Sequence, residues 1–257
     1  MNTSIIICTY NEAETIFGVV AACCKHNHEA EVIVVDDGST DNTQAILETL
    51  AFHHKFEYLK LSQNYGRSYA MAYGIEYATN EIVLFLDANV KEVRKQHFNS
   101  LIDPIYRGDA DLVLGGPSGF TVDFGLNPYK SVIGQKAMLK TDLMPILNDL
   151  REIRFGVESF IILYYQSQRK RVHFAMLSGL QNQSDEISDQ QFSVADDAKL
   201  EIANALLTNV DLITKRIQNT ILKTQNYTQS TISSVQMELN KKMKALKEKN
   251  RKMELIN

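Results

Sequence analysis

Tryptophan is absent from this 257-residue chain, and cysteine (3), proline (4) and glycine (12) are scarce. So little glycine and proline excludes collagen-like repeats and low-complexity disorder, and three cysteines cannot staple a disulfide scaffold. Cys8, Cys23 and Cys24 make neither a zinc-ligand spacing nor a redox Cys-x-x-Cys pair. They fit a reducing, intracellular compartment. No window approaches the ~20 apolar residues of a membrane-spanning helix. The apolar run from Ile5 to Cys8 has no basic segment before it and no cleavage site after it. The expectation is a cytoplasmic protein that is neither exported nor inserted by a readable signal.

What is present is 44% hydrophobic and 23% charged, enough for one large α/β domain or one domain with an appendage. The formal net charge is -4, but it is unevenly spread. Residues 241–257 carry seven bases against two acids, +5, which leaves -9 for the remainder. An acidic body argues against nucleic acid as the partner.

Short apolar runs of strand length recur at Ser4 to Cys8, Glu31 to Val35, Phe56 to Leu61, Glu81 to Leu86 and Asp111 to Gly115. Segments with helical spacing separate them, the alternation that builds a largely parallel sheet flanked by helices. Asn11 with Glu14, and Asp41 with Gln44, read as helix starts directly after the first two strands. A helix follows Gly66. Val157, Phe160, Ile161 and Tyr164 form the stripe of another. The catalytic body is placed at 1–180, a polar linker or loop at 181–195, and a helical extension at 196–257. In that extension Ile202, Leu206, Val210, Ile213, Ile217 and Ile221 make a narrow seam suited to oligomerisation. Its end, with Met243, Leu246 and Met253 among the seven bases, reads as a basic amphipathic helix drawn to anionic lipid.

Three strand ends deliver polar groups to one edge: Thr9, Tyr10, Asn11 and Glu12; Asp36 to Asp41; and Asp87 with Asn89. In an open parallel sheet, ligands bind at the carboxyl ends of strands. An aromatic ring and carboxylates there suit a nucleobase. His26, His28, His53 and His54 fall away from these deliveries and read as surface residues, while Cys23 and Cys24 read as helix-packing residues.

The segments SIIICTYNEAETI, EVIVVDDGSTDNT, NYGRSYAMAYGIEYA and EIVLFLDAN together resemble the family-2 glycosyltransferases of the GT-A fold, over about residues 4–175. That resemblance implies a GT-A, Rossmann-like α/β domain and a nucleotide-sugar donor, UDP- or GDP-linked. Tyr10 would lie against the base and Asp37 on its imide edge. Thr9 and Glu12 would line the pocket, Arg67 would approach the phosphates, and Asp87 would face ribose, diphosphate or metal. The family pattern Asp-x-Asp ends here in Asn89, so the implied Mg²⁺ or Mn²⁺ at Asp87 and Asn89 loses one ligand charge. Gly134 to Ala137 and the FGVE segment resemble the acceptor region of lipid-directed members, which implies Glu158 as catalytic base or acceptor-positioning group, with Asp87 as its partner in catalysis. The implied activity is inverting transfer of a hexose to a membrane-face acceptor, a lipid phosphate or glycolipid. Transfer to a cell-envelope polysaccharide or soluble acceptor, and an inactive coiled-coil scaffold, stand as alternatives.

Overall fold

The computed structural model describes residues 2–116, 134–153 and 156–182, with Lys215, Met237 and Lys241 as single helical positions. The chain divides into two compact units, residues 1–154 with 170–191, and residues 155–169 with 192–257. The seam and the basic end of the extension lie outside the described residues.

In the first unit, β1 (Thr3–Thr9), β2 (Glu31–Asp36), β3 (Glu57–Lys60), β4 (Ile82–Asp87), β6 (Leu112–Gly116), β7 (Gln135–Leu139) and β8 (Val172–Met176) form a seven-stranded sheet in the order β3-β2-β1-β4-β7-β6-β8. Only β7 runs antiparallel to its neighbours, β4 and β6. A short ladder pairs β5 (Val90–Lys91) with β9 (Gln181–Asn182). The five apolar runs of the sequence are therefore strands, and the sheet is mixed but mostly parallel.

Period-2 alternation sorts the strand residues onto two faces. Ile5 and Ile7 of β1, Val32 and Val34 of β2 and Leu84 of β4 join the core cluster that includes α1 (Ile16–His26), α2 (Thr43–Ala51) and α4 (Lys95–Tyr106). On the other face α3 (Arg67–Tyr77) packs on β1 and β2 and against α6 (Leu147–Glu152). A β-carbon at Gly74 would lie 2.6 Å from Ile6 Cγ2, so the glycine is what lets α3 approach the sheet so closely. A short helix, α5 (Lys140–Leu143), and a 3-10 turn, Met144–Ile146, link β7 to α6.

The two helix starts differ from the expected ones. α1 begins at Ile16, five residues beyond Asn11, whose side chain serves the neighbouring loop instead. α2 begins at Thr43, and Asp41 Oδ1 accepts its N–H at 3.0 Å, so that start is close to the expected place. In the second unit, α7 (Val157–Ser167) buries Val157, Glu158, Phe160, Ile161, Ile162 and Tyr165. Tyr165 takes the inward place the stripe gave to Tyr164, because the buried face is centred on the row Glu158, Ile161, Ile162 and Tyr165, at i, i+3, i+4 and i+7.

Candidate active site at the carboxyl edge of the sheet

β2 and β3 lie on one side of β1 and β4 on the other, so the strand order reverses between β1 and β4, and ligands of open α/β sheets bind at the carboxyl ends of such a switch point. Register brings the three deliveries level there: Thr9 stands opposite Asp36, and Cys8 opposite Asp87.

The first two loops are locked together. Asn11, at φ 57, accepts the N–H groups of Thr40 at 2.8 Å and Asp41 at 3.3 Å through Oδ1, and its own N–H donates to Ser39 Oγ at 3.0 Å. In return Asp41 Oδ2 accepts Ala13 N–H at 3.2 Å, and Thr43 Oγ1 accepts Glu12 N–H at 2.9 Å. Asparagine tolerates the left-handed backbone this exchange requires. Asp36 is fully buried and serves the turn: Oδ1 accepts Ser39 N–H at 2.9 Å, and Oδ2 accepts the Tyr58 hydroxyl at 3.1 Å. Burial, together with the charge of Asp36, pushes the Tyr58 phenol well up.

Asp37 reaches to a third loop. Its two oxygens accept the N–H groups of Tyr65 and Gly66, both at 2.8 Å, and only 3% of the residue is exposed. Burial pushes its carboxyl up, while those two donors pull it down. Gly38 makes the approach possible: at φ +73, a β-carbon there would lie 2.4 Å from the Gln63 carbonyl carbon.

Arg67, the first residue of α3, ion-pairs with Asp87 Oδ1, and Gln135 Nε2 donates to Asp87 Oδ2 at 3.3 Å. Gly134 forms the wall beside this carboxylate, since a β-carbon there would fall 1.5 Å from Asp87 Oδ2. Beneath lies Lys136, fully buried, with Nζ donating to Gly134 O at 3.3 Å and standing 5.6 Å above the Phe85 ring. Burial pushes the Cys8 thiol up to about 12, against the pull of Arg67 and Lys136. It is a neutral thiol at physiological pH. Burial also pushes Glu12 up, opposed by a hydrogen bond from Thr15 Oγ1 at 3.4 Å. Thr9 is 2% exposed, and its hydroxyl finds no partner among the described residues. Tyr10, by contrast, is 42% exposed.

Thr9, Tyr10, Glu12, Asp37, Arg67 and Asp87 are thus all on one sheet edge, joined by three locked loops. Glu158 stands in the first turn of α7, after Gly156 at φ 74, within the second unit. Gln135 as a partner of Asp87 was not legible in the sequence, because the segment QKAML contains no β-branched residue to announce a strand. His26, His28, His53 and His54 line a cleft of about 1070 Å³ at the opposite edge, formed by the ends of α1 and α2.

Residues 4–175 match the family described as glycosyl transferase family 2. The chain belongs to that family. It is similar to a poly-beta-1,6-N-acetyl-D-glucosamine synthase of Staphylococcus epidermidis, 34% identical over 87 residues, or 34% of this chain and 21% of that protein. It is also similar to an undecaprenyl-phosphate 4-deoxy-4-formamido-L-arabinose transferase of Pseudomonas savastanoi, 35% identical over 94 residues, 34% of this chain and 28% of that one. The similarity therefore spans between about a fifth and three tenths of these relatives' length. In fold the chain resembles S. aureus TarS 1-349 in complex with UDP, at TM-score 0.58 and 18% identity, covering 82% of this chain and 65% of that one. It resembles equally the glucosyl-3-phosphoglycerate synthase of Mycobacterium tuberculosis in complex with Mn²⁺, UDP-glucose and glycerol 3-phosphate, at TM-score 0.61 and 19% identity, covering 81% and 79%. The architecture is the GT-A fold of this family, a mostly parallel mixed sheet flanked by helices. No helix among the described residues is long and apolar enough to cross a membrane.

The donor set for a divalent cation is small. Among the described residues no three His, Cys, Asp or Glu side chains come together as a metal cluster. A carboxylate at Asp87 and an amide two residues later suit a hard cation whose remaining ligands are substrate phosphates and water, the usual mode for Mg²⁺. The Asn89→Asp variant should then bind Mn²⁺ in the presence of a nucleotide diphosphate more tightly than the native chain. Titration calorimetry with and without the nucleotide reads this directly, and equal responses of the two proteins would remove the cation from this position.

Proposed function

We propose that the chain is an inverting glycosyltransferase that moves a hexose from a nucleotide-diphosphate sugar to a membrane-face acceptor, a lipid phosphate or glycolipid. The observation that carries this reading is the convergence, at the switch point of the sheet, of an exposed ring (Tyr10), an unpartnered buried hydroxyl (Thr9), the Asp37 carboxylate and the Arg67–Asp87 pair. These groups fit a nucleotide: a flat face for the base, acceptors and donors for its edge and ribose, and a cation for its phosphates. Each oxygen of Asp37 keeps one acceptor site beyond the loop N–H it already holds, which suits the imide edge of a base. Family membership and the UDP and UDP-glucose bound by the structural neighbours support this donor class. The undecaprenyl-phosphate transferase among its relatives supports the lipid acceptor.

The chemistry follows from where charge develops. As the bond from the anomeric carbon to the diphosphate breaks, negative charge accumulates on the leaving phosphates, and Arg67 offers a guanidinium fixed in place by Asp87. A Mg²⁺ or Mn²⁺ held by Asp87 and Asn89 with the phosphates would add a further positive charge there. The acceptor oxygen attacks from the opposite side. A hydroxyl acceptor must lose its proton, which Glu158 takes as general base; an already anionic phosphate acceptor needs Glu158 only for positioning.

A thermal-shift screen of UDP- and GDP-sugars with Mg²⁺ or Mn²⁺ tests the donor. A ligand at 100 times its Kd stabilises the native state by ~2.7 kcal/mol, and no shift with any nucleotide sugar would overturn the reading. Glu158→Gln retains shape but not basicity, so turnover on a hydroxyl acceptor should fall by roughly 10²- to 10⁴-fold while donor affinity stays unchanged. Native turnover in that variant would leave Glu158 as a first-turn carboxylate favoured by the helix dipole alone.

A further inference from the structure

Two carboxylates stand side by side at the end of β2, Asp37 held on the loop after β3 and Asp36 fully buried behind the turn. Among the described residues Asp36 forms no ion pair. It accepts only from neutral donors, the Ser39 N–H at Oδ1 and the Tyr58 hydroxyl at Oδ2. Tyr58 stands in register with Val34, two residues before Asp36 and therefore on the same face of the sheet. Its ring packs against the core cluster that includes α1 and α2, a place a phenylalanine would fill as well. The hydroxyl is what exceeds packing. It crosses from β3 to the Asp36 carboxylate at 3.1 Å, close to where the Leu61 N–H donates to Asp36 O at 2.9 Å. The carboxylate in turn closes the turn from Asp36 to Ser39, and Ser39 Oγ accepts the Asn11 N–H. Asp37 and Gly38 are the two residues inside that turn, so the direction of the Asp36 carboxylate sets where Asp37 starts. The two acids are also linked electrically: burial pushes the Asp37 carboxyl up, and the Asp36 charge adds to it against the pull of the Tyr65 and Gly66 N–H groups.

We propose that Tyr58 is a positioning residue for the nucleobase: its hydroxyl aims the Asp36 carboxylate, which holds the turn that presents Asp37 to the base. This role rests on Asp37 being the acceptor for the base edge, as in the donor reading above, and adds the group that sets its place. Its consequence is selectivity between bases. Uracil and guanine carry an N–H where cytosine and adenine carry a lone pair, so a carboxylate held in place attracts the first two and repels the others. Ribose and diphosphate are common to all of them, and a loosened Asp37 therefore costs the preference rather than the rest of the binding. Ring packing alone would act on every nucleotide alike.

Calorimetry of the full chain with UDP, CDP, GDP and ADP, each with Mg²⁺, reads that preference. The native chain should favour UDP over CDP, or GDP over ADP, by roughly tenfold or more, the scale of one hydrogen bond to a charged group. Tyr58→Phe keeps the ring and should cut this ratio by about threefold or more through weaker binding of the favoured nucleotide. Asp36→Asn removes the carboxylate through which Tyr58 acts and should cut the ratio as well. Once Asp36→Asn is in place, adding Tyr58→Phe should change the ratio by less than about twofold, because the two substitutions break one chain of contacts. Equal weakening of all the nucleotides in Tyr58→Phe leaves Tyr58 a structural residue and overturns the proposal. A native ratio in either single variant, or fully additive losses in the double variant, overturns it too, and each of these outcomes spares the donor reading; the Asp36→Asn ratio decides if Tyr58→Phe does not fold. Nucleotide binding by the native chain without preference between bases removes Asp37 from the base edge and the proposal with it. Binding of no nucleotide at all overturns both this role and the donor reading.

Discussion

Asp87→Ala should lower kcat/KM for sugar transfer, or for donor hydrolysis, by on the order of 10²- to 10³-fold, the scale that follows removal of one preorganised electrostatic group at a reacting charge. Three things go at once: the partner that fixes Arg67, the acceptor of the Gln135 amide, and the only carboxylate on the β4 delivery. Stability should hardly change. The Arg67 side chain is 42% exposed, and a pair so open to solvent contributes ~0 to 1 kcal/mol at most. The expected signature is therefore a large kinetic loss with a melting temperature close to the native one. A variant that turns over normally would take Asp87 out of the chemistry.

Asp37→Ala should behave in the opposite way, with stability falling alongside donor binding. Its carboxylate is the acceptor for the N–H groups of Tyr65 and Gly66, and a buried N–H left without a partner costs ~1 to 3 kcal/mol. Two of them, both part-buried, amount to at most about 2 to 6 kcal/mol, a large part of the ~5 to 15 kcal/mol that holds a typical domain. Thermal melts should show a drop on the order of 10 °C. Asp37→Asn retains one acceptor oxygen and should lie between the two. A native melting temperature in the alanine variant would mean that the β3–α3 loop does not depend on this carboxylate. Calorimetry with the donor at a temperature where the variant is folded separates loss of the base contact from loss of the fold.

The parallel half of the sheet was legible because its strands announce themselves. IIIC, VIVV and IVLFL are apolar runs bounded by turn residues, and burial on both faces demands such runs. The three polar deliveries were legible for the same reason, since they begin where the runs stop. What the sequence hid were the partners. Nothing in the spacing of Asp37 says that both its oxygens bind the loop after β3, because that loop lies 28 residues away and meets it only through the sheet. Asn11 looked like a cap for its own helix; the neighbouring strand placed a second loop beside it, and the longer-range exchange prevailed. β7 was hidden because it carries Lys136 inward, and a buried lysine contradicts the pattern by which strands are found.

The reversed strand also bears on the order in which the molecule is put together. β1 pairs with β2 27 residues on and with β4 79 residues on, and Asp37, Arg67 and Asp87 all belong to this N-terminal half, which precedes β7 in the chain. β7 bridges β4 to β6 and must reach back some fifty residues to do so. Gly134 and Gln135, which wall in Asp87, arrive only with that bridge. The half-sheet can thus form while Asp87 is still open on one side, and the seam that joins the two halves is the step that encloses it.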